Sequence, residues 1–84
     1  MTQEQQINTI EPVLSELKGD IRVPKNVRMK VERVIKILKE KSEMPIKASK
    51  ALNELEEIAD DVNLESYTRT QIWNVISILA KVSK

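Results

Sequence analysis

The chain has 84 residues with no cysteine and no histidine, and its 14 basic and 13 acidic residues leave a net charge of +1. This length corresponds to one domain with a modest core, and the missing cysteines exclude disulfides and thiolate metal sites. No apolar run approaches the roughly 18 residues that a membrane span needs, and the polar start does not resemble a secretory signal. We therefore expect a single cytoplasmic domain over residues 1–84 that does not contact a membrane.

The first predicted helix covers residues 3–18. Its apolar residues recur at three- and four-residue steps: Ile7, Ile10, Leu14 and Leu17. Thr2 with Gln5 has the pattern of a capping box at its start, and Gly19 suits a left-handed residue at its end. Pro12 lies inside the pattern. Because proline lacks an N–H and clashes with the preceding turn, we expect a kink there or a helix that effectively begins there.

The second and third predicted helices cover residues 24–41 and 45–62. Proline suits a first helical turn, and each of these helices begins near one, Pro24 and Pro45. The apolar stripe of the second helix is Val27, Val31, Val34, Ile35 and Leu38, and that of the third is Ala48, Leu52, Leu55, Ala59 and Val62. Asn63 is a plausible left-handed residue after the third helix.

The fourth predicted helix covers residues 65–82, and its core stripe is Ile72, Val75, Ile76, Leu79 and Val82. Two starting points are open. Asn63 can cap a helix that begins at Leu64, or Thr68 and Gln71 can form a capping box that begins it later.

Four helices joined by links of a few residues predict a simple all-α topology. No segment alternates with period two, and short links make sequential helices antiparallel. We predict an antiparallel up-and-down four-helix bundle. A weak repeat supports an alternative of two HEAT-like helical hairpins, since Val23-Pro24 recurs as Met44-Pro45 after 21 residues. Solenoids of that kind need about three helix pairs for stability, which this chain lacks.

The near-neutral net charge conceals two charged clusters. Residues 22–41 carry eight basic and two acidic side chains, whereas residues 53–66 carry six acids and no base. One interpretation is that the two clusters face each other across antiparallel helices and pair. The other is an anion site, in which Lys25 and Arg28 flank the free N–H groups at the start of the second helix. A basic helix of this kind can also follow a phosphate backbone.

Tyr67 and Trp73 are the two aromatic residues of the chain. On a helical wheel Trp73 falls at the edge of the core face, so we expect it to close that edge with the guanidinium of Arg69 over its ring. A second flank of the same helix carries a mixed set of side chains: Tyr67, Gln71, Asn74 and Ile78. Tyrosine and amides around an aliphatic residue suit an interface, so these four form a candidate partner face.

Catalytic chemistry has few candidates in this chain. It lacks histidine, cysteine, a phosphate-binding glycine loop and a nucleophile elbow. Glu54, Glu57 and Asp61 form a carboxylate ladder, but hard cations usually draw ligands from more than one element. We therefore predict no enzyme and no cofactor. The preferred hypothesis is a protein-interaction or self-assembly module that binds a second copy or another protein through the fourth helix; the alternative is nucleic-acid or anion binding through the second.

Two strings carry a resemblance to a known family: Tyr67-Thr68-Arg69-Thr70-Gln71-Ile72-Trp73-Asn74 and Val23-Pro24-Lys25-Asn26-Val27-Arg28. With them the chain resembles the uncharacterised protein family 0147, a group of small archaeal helical proteins, from about Ile21 to Lys81. The family often carries proline where this chain has Glu65, a departure that disfavours an early start of the fourth helix. The resemblance implies a cytoplasmic four-helix protein and no assigned activity.

Overall fold

The computed structural model describes residues 3–82, with side chains from residue 5 onward, so Thr2 of the expected capping box lies outside the described residues. Four helices follow in order: α1 (Gln3–Gly19), α2 (Lys25–Leu38), α3 (Met44–Ala59) and α4 (Ser66–Val82). Each helix packs on its neighbour in sequence, and α4 returns to pack on α1. The predicted four-helix bundle is confirmed. The HEAT-like alternative is wrong, because the contact between α4 and α1 closes the ring.

The core is aliphatic and lies along the bundle axis. Most of the predicted stripe residues form it, and its fully buried side chains include Ile10, Leu14, Leu55, Ile72 and Leu79. In α3 the buried stripe differs from the prediction, because Ala51 and Ile58 are buried and Leu52 is only partly buried. Val23 and Leu64, in the α1–α2 and α3–α4 links, are also buried and anchor both links to the core. Within residues 3–82 no helix combines the length and apolar character that crossing a bilayer requires.

Helix α1 runs through Pro12 and does not begin there. The side chains before and after the proline are buried in the same core: Ile7 and Ile10 precede it, and Leu14 and Leu17 follow it. Packing on both sides holds the helix together across the one missing backbone hydrogen bond. Gly19 is the last residue of α1 rather than a left-handed residue after it, since no residue within 3–82 has a positive φ.

Helices α2 and α3 each end three residues earlier than predicted, at Leu38 and Ala59. At the first end, the Lys39 N–H donates to the carbonyls of both Ile35 and Lys36, which tightens the last turn.

At the end of α3, an Asp61 carboxylate oxygen accepts the Asn63 N–H at 2.9 Å. This local side-chain hydrogen bond competes with continuation of the helix. Val62, predicted in the core stripe, is therefore 89% exposed, and Asn63 does not take the predicted left-handed conformation.

Helix α4 begins at Ser66, between the two predicted starting points. The Arg69 N–H donates to the Glu65 carbonyl at 2.9 Å, so Glu65 takes the N-cap position. The Asn63 N–H already belongs to the turn with Asp61, and Thr68 is buried inside the first turn. Neither residue caps the helix as predicted.

Asp20 and Arg22 organise the link between α1 and α2. The Arg22 side chain donates from Nε and Nη2 to the Asp20 carboxylate at 3.1 and 3.0 Å, and the Arg22 backbone N–H donates to it at 2.9 Å. These hydrogen bonds hold the pKa of Asp20 below its ordinary value. The depressed pKa makes a pH-dependent contribution to stability.

We expect the stability difference between the wild type and Asp20→Asn to vanish in acid. A carboxyl with a depressed native pKa stabilises the fold above its unfolded pKa of about 3.9, and this contribution is lost as the pH falls through the native value. Urea unfolding should show the variant to be less stable at neutral pH, with a deficit that shrinks as the pH falls through the native pKa of Asp20. In an Arg22→Ala background the substitution should lose most of its pH dependence. A deficit that is the same at every pH would contradict this origin.

Candidate interaction surface on α4

The outer side of α4 carries no charge over three turns. Six of its side chains are exposed and uncharged, and we call them the uncharged face: Ser66, Tyr67, Thr70, Trp73, Asn74 and Ser77. Residues 66–77 cover about 17 Å of helix. The two charged residues of α4 are Arg69, which is directed toward α3, and Lys81, which is exposed on the same outer side one turn beyond Ser77. In a chain in which 32% of residues are charged, an exposed helical face without charge matches the charge depletion of interface cores.

The structure places the predicted partner face partly on this surface. Tyr67 is 64% exposed and Asn74 is exposed. Gln71 is half-buried, and its Nε2 donates to the Tyr67 hydroxyl at 3.0 Å. Ile78 packs against the core instead of facing solvent. Tyr67 and Asn74 therefore lie on the uncharged face, while Gln71 supports Tyr67 and Ile78 belongs to the interior.

The periodicity of apolar residues did not identify Ser66, Thr70 and Ser77 as part of this face. Serine and threonine are neither clearly apolar nor charged, so they give no periodic signal. The signal that identifies them is the missing charge at successive outward positions. The Thr70 hydroxyl donates to the Ser66 carbonyl at 3.0 Å, so this polar group is already hydrogen-bonded and is less costly to bury against a partner.

Trp73 is more exposed than the sequence predicts. Half of its surface, 51%, is accessible, and it is absent from the described core and from the side chains packed on that core. The aliphatic stripe fills the interior without it. Of the two aromatic residues, Trp73 gives the stronger indication of an interface, because a half-exposed indole on an uncharged face is typical of a binding hot spot.

Arg69 does not take the predicted position over the indole of Trp73. Its Nε donates to the Ala59 carbonyl at 3.2 Å and its Nη2 to the Asp61 carbonyl at 2.7 Å. Carbonyls at a helix end lack intrahelical donors and carry the negative end of the helix dipole. The guanidinium thereby closes the end of α3 and fixes α4 against it.

The basic and acidic clusters do face each other, as one interpretation predicts. The three carboxylates of the ladder are each approached from α2: Lys30–Glu57 at 3.7 Å, Arg33–Glu54 at 4.0 Å, and Asn26 Nδ2 to Asp61 at 3.4 Å. The exposed Lys30–Glu57 pair contributes about 0–1 kcal/mol, whereas the Oε2 of Glu54 is buried and has no hydrogen-bond partner among the described residues. The main effect of these contacts is to set the register of the two helices.

The proposed anion site, Lys25 and Arg28, lies at the start of α2. Lys25 is exposed, and Arg28 is half-buried, with an Nε that is buried and has no hydrogen-bond partner among the described residues. Two carboxylates lie at the same end of the helix: Asp61 accepts from Asn26, and the charge of Arg28 contributes to the lowered pKa of Asp20. These carboxylates oppose a second anion, and anion binding here stays a prediction.

These observations define a small all-α protein, an up-and-down four-helix bundle in which α4 presents an uncharged outer face. A family model matches residues 1–82, and the chain belongs to the uncharacterised protein family UPF0147. The resemblance carried by the two strings is thus confirmed, and the match extends to the start of the chain. The family is uncharacterised, and its description gives no activity.

The relatives come from archaea. The chain is 35% identical to a UPF0147 protein of Methanocaldococcus jannaschii over 82 residues, which cover 96% of this chain and 88% of the relative. It is 40% identical to a UPF0147 protein of Pyrococcus furiosus over 81 residues, 94% of this chain and 87% of the relative. A UPF0147 protein of Thermococcus kodakarensis is 40% identical over 78 residues, 90% of this chain and 94% of the relative. No solved structure matches.

Proposed function

We propose that this protein is a cytoplasmic, non-enzymatic self-assembly module in which two copies associate through the uncharged face of α4. The observation that carries the proposal is the exposure of both aromatic residues on a helix face that lacks charge. Interface centres are depleted of charge and enriched in tyrosine and tryptophan. A small core also gains stability from association, because binding between folded copies disfavours unfolding.

The missing charge favours a second copy as the partner. A two-fold axis sets a surface against itself, so a face of one sign would repel its own copy, whereas an uncharged face carries no such penalty. In an antiparallel pairing centred between Trp73 and Asn74, the Thr70 of one copy lies opposite the Ser77 of the other. These small side chains leave room for the two indoles.

The dimensions favour the side of the bundle over its ends. The molecule measures 32 × 20 × 19 Å, so a side projects about 640 Å² (32 × 20) and an end about 380 Å² (20 × 19). A stable interface buries about 800 Å² per partner. A side of the bundle therefore offers a partner more area than an end does. Ile21 and Val62, each nearly fully exposed in an end link, are therefore not assigned to the interface.

Nucleic-acid binding through α2 has weaker support. Four basic residues of its surface and C-terminal end approach carboxylates: Lys30, Arg33, Lys36 and Lys39. Neutralised side chains release fewer counterions from a phosphate backbone, so they add less affinity. Salt separates the two hypotheses, since apolar association tolerates it and phosphate contacts do not.

We expect Ser77→Arg to weaken self-association at least ten-fold, about 1.4 kcal/mol. The substitution sets a charged side chain against the Thr70 of the other copy, where the interface removes the charge from water, while an exposed arginine leaves the monomer folded. Sedimentation equilibrium over a concentration series is the measurement. Ser15→Arg is the matched control, because Ser15 is an exposed serine on α1, and it should associate like the wild type.

Three results would overturn the proposal. One is a strict monomer at millimolar concentration. The second is equal weakening by Ser77→Arg and Ser15→Arg, and the third is association that disappears as salt rises. If the chain is monomeric but binds another protein, and Ser77→Arg abolishes that binding, the uncharged face is still an interaction surface. Its partner is then the other protein instead of a second copy.

A further inference from the structure

A cavity of about 280 Å³ opens between α1, the last turn of α2 and the start of α3. It does not involve α4, so it is independent of the uncharged face. It is a cleft that opens to solvent on one side, and its apolar lining residues are Ile7, Leu14, Ile35, Leu38 and Met44. Leu14 is fully buried and Leu38 is 8% exposed, so the cleft reaches the edge of the core. The apolar part of the cleft favours an apolar group over water.

The rim of the cavity is polar and carries more positive than negative charge. Asn8, Glu11, Lys39 and Lys47 form it. Lys39 approaches Glu11 at 3.7 Å, and both side chains are largely exposed. An exposed pair of this kind contributes only about 0–1 kcal/mol, so a competing anion can displace the carboxylate.

Lys47 is the more available of the two rim lysines. It is half-buried, and its ammonium donates to the Glu40 carbonyl over a long distance of 3.4 Å. An ammonium has three N–H donors, so this contact leaves capacity for a ligand. Together with Lys39 it offers two positive charges beside an apolar opening.

From this arrangement we propose that the cavity binds a small amphipathic carboxylate, with its hydrocarbon or aromatic part inside and its carboxylate between Lys39 and Lys47. Ligand sites combine apolar walls with a few polar groups that fix orientation, which is the composition found here. Because the cleft is open on one side, an apolar group can enter it without displacing core side chains.

The test uses decanoate as the probe and decanol as its uncharged match, followed by methyl chemical shifts and by calorimetry of the full chain. We expect saturable 1:1 binding of decanoate, with shifts concentrated at Ile7, Ile35 and Leu38. Asn8→Trp places a large ring at the opening from an exposed position and should weaken binding of both probes at least ten-fold. Its unfolding curve should match that of the wild type, which separates blockage from misfolding.

Charge recognition is tested separately. Lys39→Gln combined with Lys47→Gln should weaken decanoate at least five-fold and leave decanol unchanged. Lys36→Gln is the matched control, because Lys36 also pairs with one glutamate, at 3.9 Å, and lies outside the cavity. The proposal is overturned if decanoate does not bind at millimolar concentration, if a folded Asn8→Trp binds normally, or if Lys36→Gln weakens decanoate as much as the rim variant does. Self-association through α4 should be unaffected by any of these substitutions, so the two proposals fail separately.

Discussion

Leu55→Ala is expected to lower the free energy of unfolding by about 3–5 kcal/mol. Leu55 is fully buried at the centre of the core, and truncation loses both the transfer free energy of the removed carbons and the contacts around the cavity that remains. A chain of 84 residues has a total stability of about 4–13 kcal/mol. The variant should therefore lose a large fraction of its stability, which urea unfolding monitored by circular dichroism will show as a lower midpoint.

Leu52→Ala is the matched control for this prediction. It removes the same atoms from the same helix, but Leu52 is only partly buried at the edge of the core. It should cost less than half as much, because its neighbours and solvent can relax into the space. Equal losses at the two positions would contradict the placement of Leu55 at the centre of the core.

Arg69→Ala is expected to lower the free energy of unfolding by about 1.5–3 kcal/mol. The guanidinium donates to two carbonyls at the end of α3, and hydrogen bonds from charged groups are worth about this much. Without them the Ala59 carbonyl loses its side-chain donor in a partly buried place, and the Asp61 carbonyl keeps only the Leu64 N–H at 3.2 Å. Urea unfolding measures the total, and amide hydrogen exchange in the last turn of α3 should show the local loosening.

Two further substitutions test whether the paired hydrogen bonds of Arg69, rather than its charge alone, stabilise the end of α3. Arg69→Lys keeps the charge but not the planar fork, so it should restore less than half of the loss. Thr70→Ala alters the adjacent exposed position and should stay within about 0.5 kcal/mol of the wild type. Full rescue by lysine would mean that charge, rather than the paired hydrogen bonds, closes the end of α3.

The candidate site was only partly predictable from the sequence. Tyr67 and Asn74 were placed correctly on the outside, because a residue far from the core stripe on a helical wheel faces solvent. Ile78 was assigned to the same face but packs against the core. A wheel gives the angle of a residue, whereas its exposure also depends on how closely the neighbouring helix approaches.

The sequence by itself determined the fold class, the order of the four helices and most of their core stripes, because apolar periodicity is a local property that each segment carries along its own length. Short links make neighbours antiparallel, so pairing of the basic α2 with the acidic α3 was one of two interpretations, and the contacts between the two helices support it. Tertiary structure alone decided where the Arg69 guanidinium goes and how much of Trp73 remains exposed. Both depend on how α4 packs against other elements, and such contacts across space leave no periodic trace in the chain.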